Sequence, residues 1–415
     1  MEFDIVVAGG GPAGIGAAVA AARNGARTLL VEGTNCLGGM GSNGLVPVIR
    51  TAGDDGGIAK ELYDRLVAVD GAERTATHYW VNPCVNRVVA LDLVLEAGVK
   101  VLLHTRAEGV EMDGPRVTGV YLANKGGRQL AKAGLAIDAT GDGDLAAWAG
   151  APFDKGREQD GWLQAVSLIF YLAGVDVGRF PPRAEFDRLV SEAFARGDLD
   201  MPPHQATLSH GHQSPSFPPG VVRFMFDTAI GIDASDPEGL TEGEIVCHRR
   251  MFKVWRFLKE HVPGYEGSAI VNMASYLGVR ESRRIRGEAT LVEADVLQAR
   301  KHPDGICRAS FYMDTHDGQA KTPEYKKSLA PPEGDFYEIP YGCLVPLAVD
   351  GLLVSGRCIS STRPANGSMR LQPTCMNTGQ AAGTAAALGL RRGLRPRDLD
   401  GREVRALLVE QGMAL

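Results

Sequence analysis

The residues near the start of the chain have the types and the spacing needed to bind a nucleotide pyrophosphate. Gly9-x-Gly11-x-x-Gly14 combines a glycine that permits a tight turn, one that lets the backbone approach the phosphates and one that lets a helix pack closely on a strand. Glu32 lies 18 positions after Gly14, where a carboxylate can accept hydrogen bonds from the hydroxyls of a ribose. These residues predict a dinucleotide-binding site.

The elements around this motif are those that would position it. Residues 5–7 are apolar and β-branched, as in a strand of a parallel sheet that is buried on both faces. A helix of small residues follows over residues 13–23, and its N-terminus favours the negative charge of a phosphate. Residues 28–31 form a second apolar strand that ends on Glu32. The order is that of a complete βαβ unit, whereas an unrelated glycine-rich turn would share only the glycines.

The rest of the chain alternates helices and strands, and its character changes near residue 154. We expect helices over residues 58–69, 83–97, 242–261 and 373–392, and strands over residues 99–103, 107–112, 116–123, 135–138, 221–227, 309–314 and 351–355. From about 154 to 340, prolines and polar loops multiply, which indicates an inserted unit. We therefore assign residues 1–42, 82–153 and 342–415 to a dinucleotide-binding domain, and residues 43–81 and 154–341 to a cap that faces the substrate.

Length and composition exclude several classes of protein. The 415 residues are 44% hydrophobic and 23% charged, as in ordinary globular proteins. The net charge of −6 argues against a nucleic-acid partner bound through general electrostatics. No apolar run approaches the roughly 18 residues that span a bilayer, so we expect no membrane span. Seven cysteines without a C-x-x-C pair indicate free thiols in a reducing compartment, and we expect a cytoplasmic protein.

The sequence gives little support to a metal site or to a second nucleotide site. His204, His210 and His212 share one loop, but this spacing without a nearby acid or cysteine makes a weak ligand set. The segment 141–146 imitates the dinucleotide motif, yet the helix behind it is short and no second strand with a terminal acid follows. We therefore predict neither a metal ion nor an NADPH site.

Several further motifs, taken with the first, resemble one protein family. They are Leu37-Gly-Gly-Met40, Asp138-Ala-Thr-Gly-Asp-Gly-Asp144, Gly278-Val-Arg-Glu-Ser-Arg-Arg284, Tyr337-Glu-Ile-Pro-Tyr341, Leu353-Val-Ser-Gly-Arg-Cys-Ile-Ser360, Met369-Arg-Leu-Gln-Pro-Thr-Cys-Met376 and Gly379-Gln-Ala-Ala-Gly383. Over nearly its whole length the chain resembles FAD-dependent oxidoreductases related to the flavoprotein heterodisulfide reductase A and to flavoproteins of the glucose-inhibited-division type. The resemblance implies an α/β fold, with a Rossmann-like FAD-binding domain of the glutathione reductase-like kind and an inserted mixed α+β substrate domain.

The resemblance also implies where FAD would bind. The adenosine would lie on Glu32, the pyrophosphate on the first helix and the flavin ring near the last long helix. The residues that we expect to contact FAD are Gly9, Gly11, Pro12, Ala13, Gly14, Glu32, Gly33, Gly38, Gly39, Met40, Ala107, Thr140, Gly141, Asp142, Gly356, Arg357, Gln372, Thr374 and Cys375. Residues 372–375 begin a helix, whose N–H groups and dipole would stabilise an anionic reduced flavin at its N1 and O2 edge. The alternative is a helix start that only packs on the core.

Four side chains form the predicted catalytic group. Arg280 or Arg283 would bind an anionic or carbonyl oxygen of the substrate, although such a cluster of charges is also typical of a solvated or ion-paired surface. His316 follows a predicted strand, has carboxylates beside it and could accept a hydroxyl or amine proton, although a single loop histidine is also typical of a plain surface residue. Tyr341 is a further candidate for the same cavity, and so is Arg370.

These residues predict an FAD-dependent oxidoreductase that oxidises a small polar organic molecule, by hydride transfer from a carbon bearing a hydroxyl or amine to flavin N5. Without a second nucleotide site, the electrons would leave to oxygen, a quinone or a protein carrier. The alternatives are a reductase of an activated C=C bond, an RNA-modifying flavoprotein and an electron-transfer flavoprotein. An RNA-modifying enzyme would need a basic surface, and iron–sulfur cysteines would favour an electron-transfer protein; the sequence has neither pattern. Homo-oligomer formation is left open.

Overall fold

The computed structural model describes residues 1–50, 56–200, 211–213, 217–225, 228–316 and 323–415, with residues 212, 213 and 323–325 described by their backbone alone. The strands in these ranges are β1 (Glu2–Ala8), β2 (Thr28–Val31), β3 (Val48–Arg50), β4 (Ala72–Arg74), β5 (His78–Val81), β6 (Lys100–Leu102), β7 (Arg106–Asp113), β8 (Arg116–Asn124), β9 (Gly127–Asp138), β10 (Phe153–Lys155), β11 (Phe170–Ala173), β12 (His212–Gln213), β13 (Val222–Phe224), β14 (Ala269–Met273), β15 (Arg283–Ile285), β16 (Gly305–Ala309), β17 (Tyr337–Pro340) and β18 (Leu352–Val354). The helices are α1 (Pro12–Arg23), α2 (Gly57–Ala68), α3 (Pro83–Glu96), α4 (Asp144–Trp148), α5 (Arg183–Arg196), α6 (Pro237–His261), α7 (Glu293–Leu297), α8 (Pro323–Ser328), α9 (Arg363–Met369), α10 (Gln372–Arg392) and α11 (Gly401–Glu410).

The largest sheet contains the predicted βαβ unit. Its parallel part has the order β6-β2-β1-β9, and β18 also pairs with β9 in parallel. β8 and β7 extend the sheet with antiparallel pairing. Ile5, Val6 and Val7 of β1 are fully buried, because elements cover both faces of the sheet, and this explains their continuous apolar run. The fold is therefore α/β with a parallel sheet, as predicted.

Four strands of this sheet end at the same level. Ala8 pairs with Val31 on one side and with Asp138 on the other, and Val354 also pairs with Asp138. The loops that follow these strands therefore meet at the carboxyl edge of the parallel sheet, where ligands bind in open α/β folds. These loops contain residues 9–11, 32–34, 139–143 and 355–357.

Helices α1 and α10 pack against each other at backbone distance. A Cβ atom on Gly379 would lie 1.9 Å from the Ala13 carbonyl oxygen, and one on Gly383 would lie 2.2 Å from the Ala17 carbonyl oxygen. Only glycine permits such an approach. Ala13 and Ala17 of α1 meet Gly379 and Gly383 of α10 in the same order along the chain. The two helices therefore run parallel. Their N-termini therefore lie side by side at the carboxyl edge of the sheet.

Two hydrophobic cores divide the described residues. The first surrounds the large sheet and includes residues of α2, β5, β16, β17 and the C-terminal helices. The second contains Leu45 and buried residues from Val166 to Leu277, packed around the sheet β12-β13-β11-β14 with α5 and α6. Residues 56–81 and 285–341, which the sequence pattern assigns to the cap, thus pack largely with the first core. We propose narrower limits for the cap, roughly residues 163–281.

Most of the predicted helices and strands are confirmed to within a few residues, but one prediction is wrong. The strand expected over residues 309–314 lies earlier, at β16, and residues 310–316 have neither helix nor strand. The described strands of the cap sheet pair antiparallel throughout. His204 and His210 lie outside the described residues. In the described ranges, no helix combines the length and the apolar character that a membrane crossing requires.

Candidate functional site

The glycine turn after β1 has the geometry of a pyrophosphate cradle. Gly9 has a φ of +98°, which favours glycine, and a Cβ atom on Gly14 would lie 1.7 Å from the Gly9 carbonyl oxygen. At Gly11 the Cβ position is open, because the nearest heavy atom, Gly39 Cα, is 4.0 Å away. Gly11 gives α1 no side-chain cap, so the N–H groups of the first turn can bind an anion.

Glu32 follows β2 with its carboxylate oriented by neighbouring donors. The Gly10 N–H donates to Oε2 at 2.8 Å, and the N–H and hydroxyl groups of Thr34 both donate to Oε1 at 2.8 Å. Oε2 keeps acceptor capacity for a ribose hydroxyl. Gly33 lies against Arg106, since a Cβ atom there would be 2.9 Å from Arg106 Cγ. Ala107 is the next residue of β7, so both positions belong to the adenosine end of the predicted site.

A buried carboxylate holds the loop after β9. Asp138 accepts hydrogen bonds from the Thr140 N–H at 3.1 Å, from the Thr140 hydroxyl at 2.7 Å and from the Ala146 N–H at 3.0 Å. Burial raises the pKa of Asp138 from its ordinary value of 3.8 to about 6, although these hydrogen bonds act in the opposite direction. The loop that should contact FAD is thus built on a titratable side chain.

Because the pKa of Asp138 is raised on folding, we expect this residue to make the protein less stable as the pH rises. Between 3.8 and about 6 the folded chain binds more protons at Asp138 than the unfolded chain does. Its contribution to stability is therefore present at low pH and is lost through this window, by up to about 3 kcal/mol. Urea unfolding of the wild type and of Asp138→Asn would measure it. The wild-type advantage should shrink as the pH rises from about 4 to about 7, and a constant or growing advantage would contradict the assignment.

Arg357 brings the loop after β18 to the same edge of the sheet. Its Nη2 donates to Asp142 Oδ1 at 2.8 Å, and Gly141 leaves room for it, since a Cβ atom there would be 3.0 Å from Nη2. Within the described residues, Arg357 Nη1 is buried without a hydrogen-bond partner. Gly356 lies against the first turn of α1, because a Cβ atom there would be 2.8 Å from Ala13 Cβ. A buried donor beside the glycine turn fits an acceptor group of a dinucleotide.

The N-terminus of α10 lies beside that of α1 and also lacks a side-chain cap. Leu371, the residue before the helix, offers no side-chain acceptor to the N–H groups of the first turn. In that turn Thr374 is fully buried, and the Cys375 N–H donates to the Leu371 carbonyl at 2.8 Å. Gln372 faces the glycine loop, since a Cβ atom on Gly41 would lie 2.5 Å from its Oε1. This arrangement suits the predicted contact of the helix N-terminus with the flavin edge.

The glycine loop that contains Met40 links the pyrophosphate turn to the cap. Both glycines before Met40 have a positive φ, and a Cβ atom on Gly39 would lie 2.9 Å from Gly11 Cα and 3.7 Å from the Tyr276 hydroxyl oxygen. Burial raises the pKa of Tyr276, so its hydroxyl stays protonated. The Met40 Cε atom is 3.5 Å from the Cβ position of Gly278. The loop thus adjoins both cores.

His316 and Arg370 meet around the side chain of Gln164. The His316 N–H donates to Gln164 Oε1 at 3.0 Å, and Arg370 Nη2 donates to the same oxygen at 3.2 Å. His316 Nε2 lies 3.2 Å from Asp314 Oδ2. Arg370 also donates to the carbonyls of Asp314, at 2.6 Å, and of Arg280, at 2.9 Å. Burial lowers the pKa of Arg370 to about 10, so it remains a cation at neutral pH.

This cluster adjoins the start of α10. Arg370 is the C-cap of α9, and Gln372 begins α10 two positions later. Asp314 packs on α9, since a Cβ atom on Gly367 would lie 3.0 Å from its backbone atoms. The structure therefore brings a histidine–carboxylate pair, a buried cation and the helix N-terminus together. Sequence reasoning missed Gln164, because the residues that it joins are 152 and 206 positions away.

The other two predicted arginines, Arg280 and Arg283, donate hydrogen bonds within the protein. Arg280 Nη1 donates to the Ala165 carbonyl at 2.6 Å, which connects its guanidinium to the cap. The backbone carbonyl of Arg280 accepts a hydrogen bond from Arg370. Arg283 pairs with Asp144 at 2.8 Å and donates to the Asp142 carbonyl at 3.1 Å. These contacts fix the loop after β9. The substrate-binding role expected of Arg280 or Arg283 stays a prediction.

Tyr341 is not brought to the candidate site. Its hydroxyl donates to the Pro396 carbonyl at 2.9 Å, and its Cβ atom lies 2.8 Å from the Cβ position of Gly401. The residue therefore packs against the C-terminal segment, and burial raises its pKa. The side-chain hydroxyl of Tyr341 is thus engaged in this contact, and its catalytic role stays a prediction.

The fold and these contacts define a dinucleotide-binding α/β protein. Residues 4–408 match the family described as FAD dependent oxidoreductase. The chain therefore belongs to the FAD-dependent oxidoreductase family and is an FAD-binding enzyme. The residues at the carboxyl edge fit this cofactor. Gly11 leaves space for a pyrophosphate, and the Glu32 carboxylate is oriented for a ribose. Among the described residues, the buried Nη1 of Arg357 has no hydrogen-bond partner and can donate to the cofactor.

Curated relatives and a solved structure are similar to this chain in part. Over 152 residues it is 34% identical to digeranylgeranylglycerophospholipid reductase 1 of Methanopyrus kandleri, a match that covers 34% of this chain and 40% of that protein. Over 125 residues it is 34% identical to thiamine thiazole synthase of Aeropyrum pernix, covering 29% of this chain and 44% of that protein. The chain thus spans less than half the length of these two relatives. The crystal structure of p-nitrophenol 4-monooxygenase from Pseudomonas putida has a TM-score of 0.51 over 99% of this chain and 86% of that chain, at 12% identity, and shares the fold.

Proposed function

We propose that this enzyme oxidises a small polar organic substrate at a carbon that bears a hydroxyl or amine group. The observation that carries the proposal is the pair His316–Asp314, held beside Arg370 at the start of α10. Bound FAD supplies the acceptor for the hydride, at its N5 atom. The protein must then remove the hydroxyl or amine proton, and His316 is the residue that we assign to that step.

The Asp314 carboxylate gives the imidazole a direction. A carboxylate can only accept, so the Nε2–H of His316 donates to Asp314 Oδ2 across 3.2 Å. The neutral ring then has its basic lone pair on Nδ1, the atom that takes the proton. The carboxylate also stabilises the imidazolium that results. Asp314 acts through His316, which makes it a positioning residue.

Arg370 supplies positive charge at the same place. Among the described residues its guanidinium donates to carbonyl and amide oxygens, while the carboxylates of Asp314 and Glu281 act on it through space. A buried cation of this kind stabilises negative charge on a substrate oxygen as the proton leaves, because the low dielectric strengthens the interaction. Gln164 Oε1 accepts hydrogen bonds from the His316 backbone N–H and from Arg370 Nη2. This shared acceptor keeps the two residues close together.

The second candidate is a reductase of an activated C=C bond. The 34% identity to digeranylgeranylglycerophospholipid reductase 1 of Methanopyrus kandleri supports it, although that match covers 34% of this chain. In this direction His316 would carry a proton to the substrate carbon while the hydride comes from reduced FAD. The two candidates use the same residues and differ in the source of electrons.

An anaerobic absorbance titration of the purified holoenzyme distinguishes the two candidates. NADH, NADPH and a panel of alcohols and amines are added separately while the flavin band is followed. We expect an alcohol or amine to bleach the flavin and both nicotinamides to leave it oxidised. Rapid bleaching by NADPH, with no response to the organic panel, would reverse the assignment in favour of the reductase. Readmitting air then separates an oxidase from a dehydrogenase.

Finer features of the family resemblance are part of the same proposal. The motifs support a glutathione reductase-like FAD domain, and a relationship to heterodisulfide reductase A and to glucose-inhibited-division flavoproteins. Electron transfer to oxygen, a quinone or a protein carrier, and a cytoplasmic location, follow from the sequence as predictions. All seven cysteines are free thiols in the structure.

A further inference from the structure

The cap sheet has one apolar face and one polar face, and both are covered. Phe170 and Phe224 stack with their ring centroids 5.2 Å apart on the face that packs with α5 and α6. Tyr171 and Arg223 alternate with these residues along β11 and β13, so their side chains point to the opposite face. The two residues are direct partners in the antiparallel register. A pair of polar side chains is thus placed side by side on the second face.

Arg223 is buried, and no carboxylate among the described residues pairs with it. Its exposed fraction is 4%. In the described part of the chain, Nε has no hydrogen-bond partner, and Nη1 has the Met225 sulfur at 3.6 Å. Burial lowers the pKa of this guanidinium, and the electrostatic partner that opposes the change is the phenol of Tyr171. A guanidinium taken out of water without a counter-ion is strongly unfavourable, so the site is incomplete without an anion.

Tyr171 adds a second unused donor beside the guanidinium. Its exposed fraction is 1%, and its hydroxyl has no hydrogen-bond partner among the described residues. Burial raises the pKa of the phenol, so it is a neutral O–H donor and not a phenolate counter-ion for Arg223. Asn272 of β14 lies opposite Tyr171 on its other side and continues the polar row. Met225 is 44% exposed, so the guanidinium lies close to the surface at that end.

Other buried arginines of the chain show what a completed site looks like. Arg284 pairs with Glu281 at 2.7 Å, and Arg363 pairs with the same carboxylate at 2.9 Å. Both guanidinium groups therefore have an acceptor of opposite charge. Among the described residues Arg223 is buried to a similar degree but has no such acceptor, and this difference supports a ligand as the source of one.

We propose that Arg223 and Tyr171 form an oxyanion site in the cap, which takes a carboxylate or a phosphate group. The planar fork of a guanidinium matches two oxygens of such a group, and the phenol O–H donates to one of them. The oxyanion could belong to a carboxylate-bearing organic molecule or be inorganic phosphate. The site uses residues other than His316 and Arg370, so it does not depend on the proposed reaction.

Thermal unfolding of the holoenzyme in acetate, in phosphate and in chloride, at matched sodium concentration and pH, tests the site. We expect a saturable rise of the unfolding midpoint with an oxyanion and a smaller or absent rise with chloride. A larger effect of acetate identifies an organic carboxylate as the ligand class, and a larger effect of phosphate identifies a phosphate. The absence of a saturable rise with either oxyanion would overturn the proposal.

Two variants and one control locate the effect. Arg223→Met, which keeps the length of the side chain, should abolish the rise and should unfold at the wild-type midpoint or above it in anion-poor buffer. Tyr171→Phe should weaken the oxyanion concentration dependence by roughly tenfold, since one hydrogen bond to a charged group is lost. Arg308→Met, at a half-buried arginine of β16 over the Phe336 ring, should keep the full rise. If the unfolding midpoint of Arg223→Met still rose with an oxyanion, the guanidinium would not be the site. A large drop in the midpoint of this variant in anion-poor buffer would lead to the same conclusion.

Discussion

Replacing Gly11 with alanine is expected to weaken FAD binding by on the order of 100-fold, while the apoprotein keeps its fold. The Cβ atom would enter open space, since the nearest heavy atom of the chain is 4.0 Å away. The φ of −72° at this residue is accessible to alanine. The space that the methyl group fills is therefore the space that the pyrophosphate needs when it approaches the start of α1.

The measurement has two parts. Titration of apoprotein with FAD, followed by quenching of flavin fluorescence, gives the affinity, and urea unfolding of the apoprotein gives its stability. Gly109→Ala is the matched control, because a Cβ atom at Gly109 in β7 makes ordinary contact with Tyr121 at 3.6 Å, away from the glycine turn. This control should bind FAD with the wild-type affinity.

The comparison with Gly14→Ala separates binding from folding. A Cβ atom on Gly14 would lie 1.7 Å from the Gly9 carbonyl oxygen, so this variant should lose stability before any cofactor is added. If Gly11→Ala retained wild-type FAD affinity, or if it were as unstable as Gly14→Ala, the cradle would not be where we place it. Either result would also remove the main reason for assigning the pyrophosphate to α1.

The cofactor half of the site could be predicted from sequence because it is built locally. The strand, the glycine turn, α1 and Glu32 follow one another within about thirty residues, and each has its own pattern. The start of α10 was also predictable, from a proline in its first turn followed by a long run without a further proline. The sequence does not show that α1 and α10 touch. This contact depends on glycines more than 360 positions apart, such as Gly16 and Gly379.

The substrate half was predicted less well because its residues are assembled by tertiary contacts. The strand expected over residues 309–314 ends at Ala309, where the pairing with β17 ends at Tyr337. The chain then follows α9, because Gly367 lets the Asp314 backbone approach within 3.0 Å of its Cβ position. That contact places His316 beside Arg370, and no local pattern encodes it. Tyr341 shows the same limit, because its hydroxyl donates to the Pro396 carbonyl, 55 positions away, and the residue type alone does not show this contact.

Charge clusters were also ambiguous until their partners were known. Arg280, Arg283 and Arg284 lie within five residues, yet they have three different partners: the Ala165 carbonyl, Asp144 and Glu281. A sequence shows that such residues are charged but not which carboxylates face them. Arg370, the arginine that we propose for the substrate, lies outside this cluster, and the proposal depends on its burial next to His316 rather than on its neighbours in sequence.

Replacing His316 with glutamine is expected to slow flavin reduction by the substrate by on the order of 100- to 10,000-fold, the range that a general base contributes. Glutamine keeps hydrogen-bonding capacity and similar length but cannot take a proton near neutral pH. The backbone N–H that donates to Gln164 is unchanged, so Arg370 should stay in place. The loss should therefore appear in the rate of reduction and much less in the affinity for substrate.

Anaerobic stopped-flow reduction over a range of pH is the direct measurement, with substrate found in the absorbance titration. A histidine base works only as the neutral imidazole, so the wild-type rate should fall on acidification, and this dependence should vanish in the variant. His248→Gln is the control, because His248 also has a carboxylate beside it, Glu244 at 3.5 Å, but lies on α6 of the cap. It should leave both the rate and its pH dependence unchanged.

Asp314→Asn then tests how the base is oriented. Asparagine can present its amide N–H to the ring, which favours the tautomer with the lone pair on Nε2 and turns the basic atom away from the substrate. We expect a loss of rate smaller than that of His316→Gln, with the affinity for substrate preserved. If His316→Gln kept a wild-type rate and pH profile, the proton would leave by another route and the proposed oxidation would lose its base. If Asp314→Asn kept the wild-type rate while His316→Gln lost it, His316 would still be the base. The orientation of its ring would then be set by Gln164 and the contact with α9 alone.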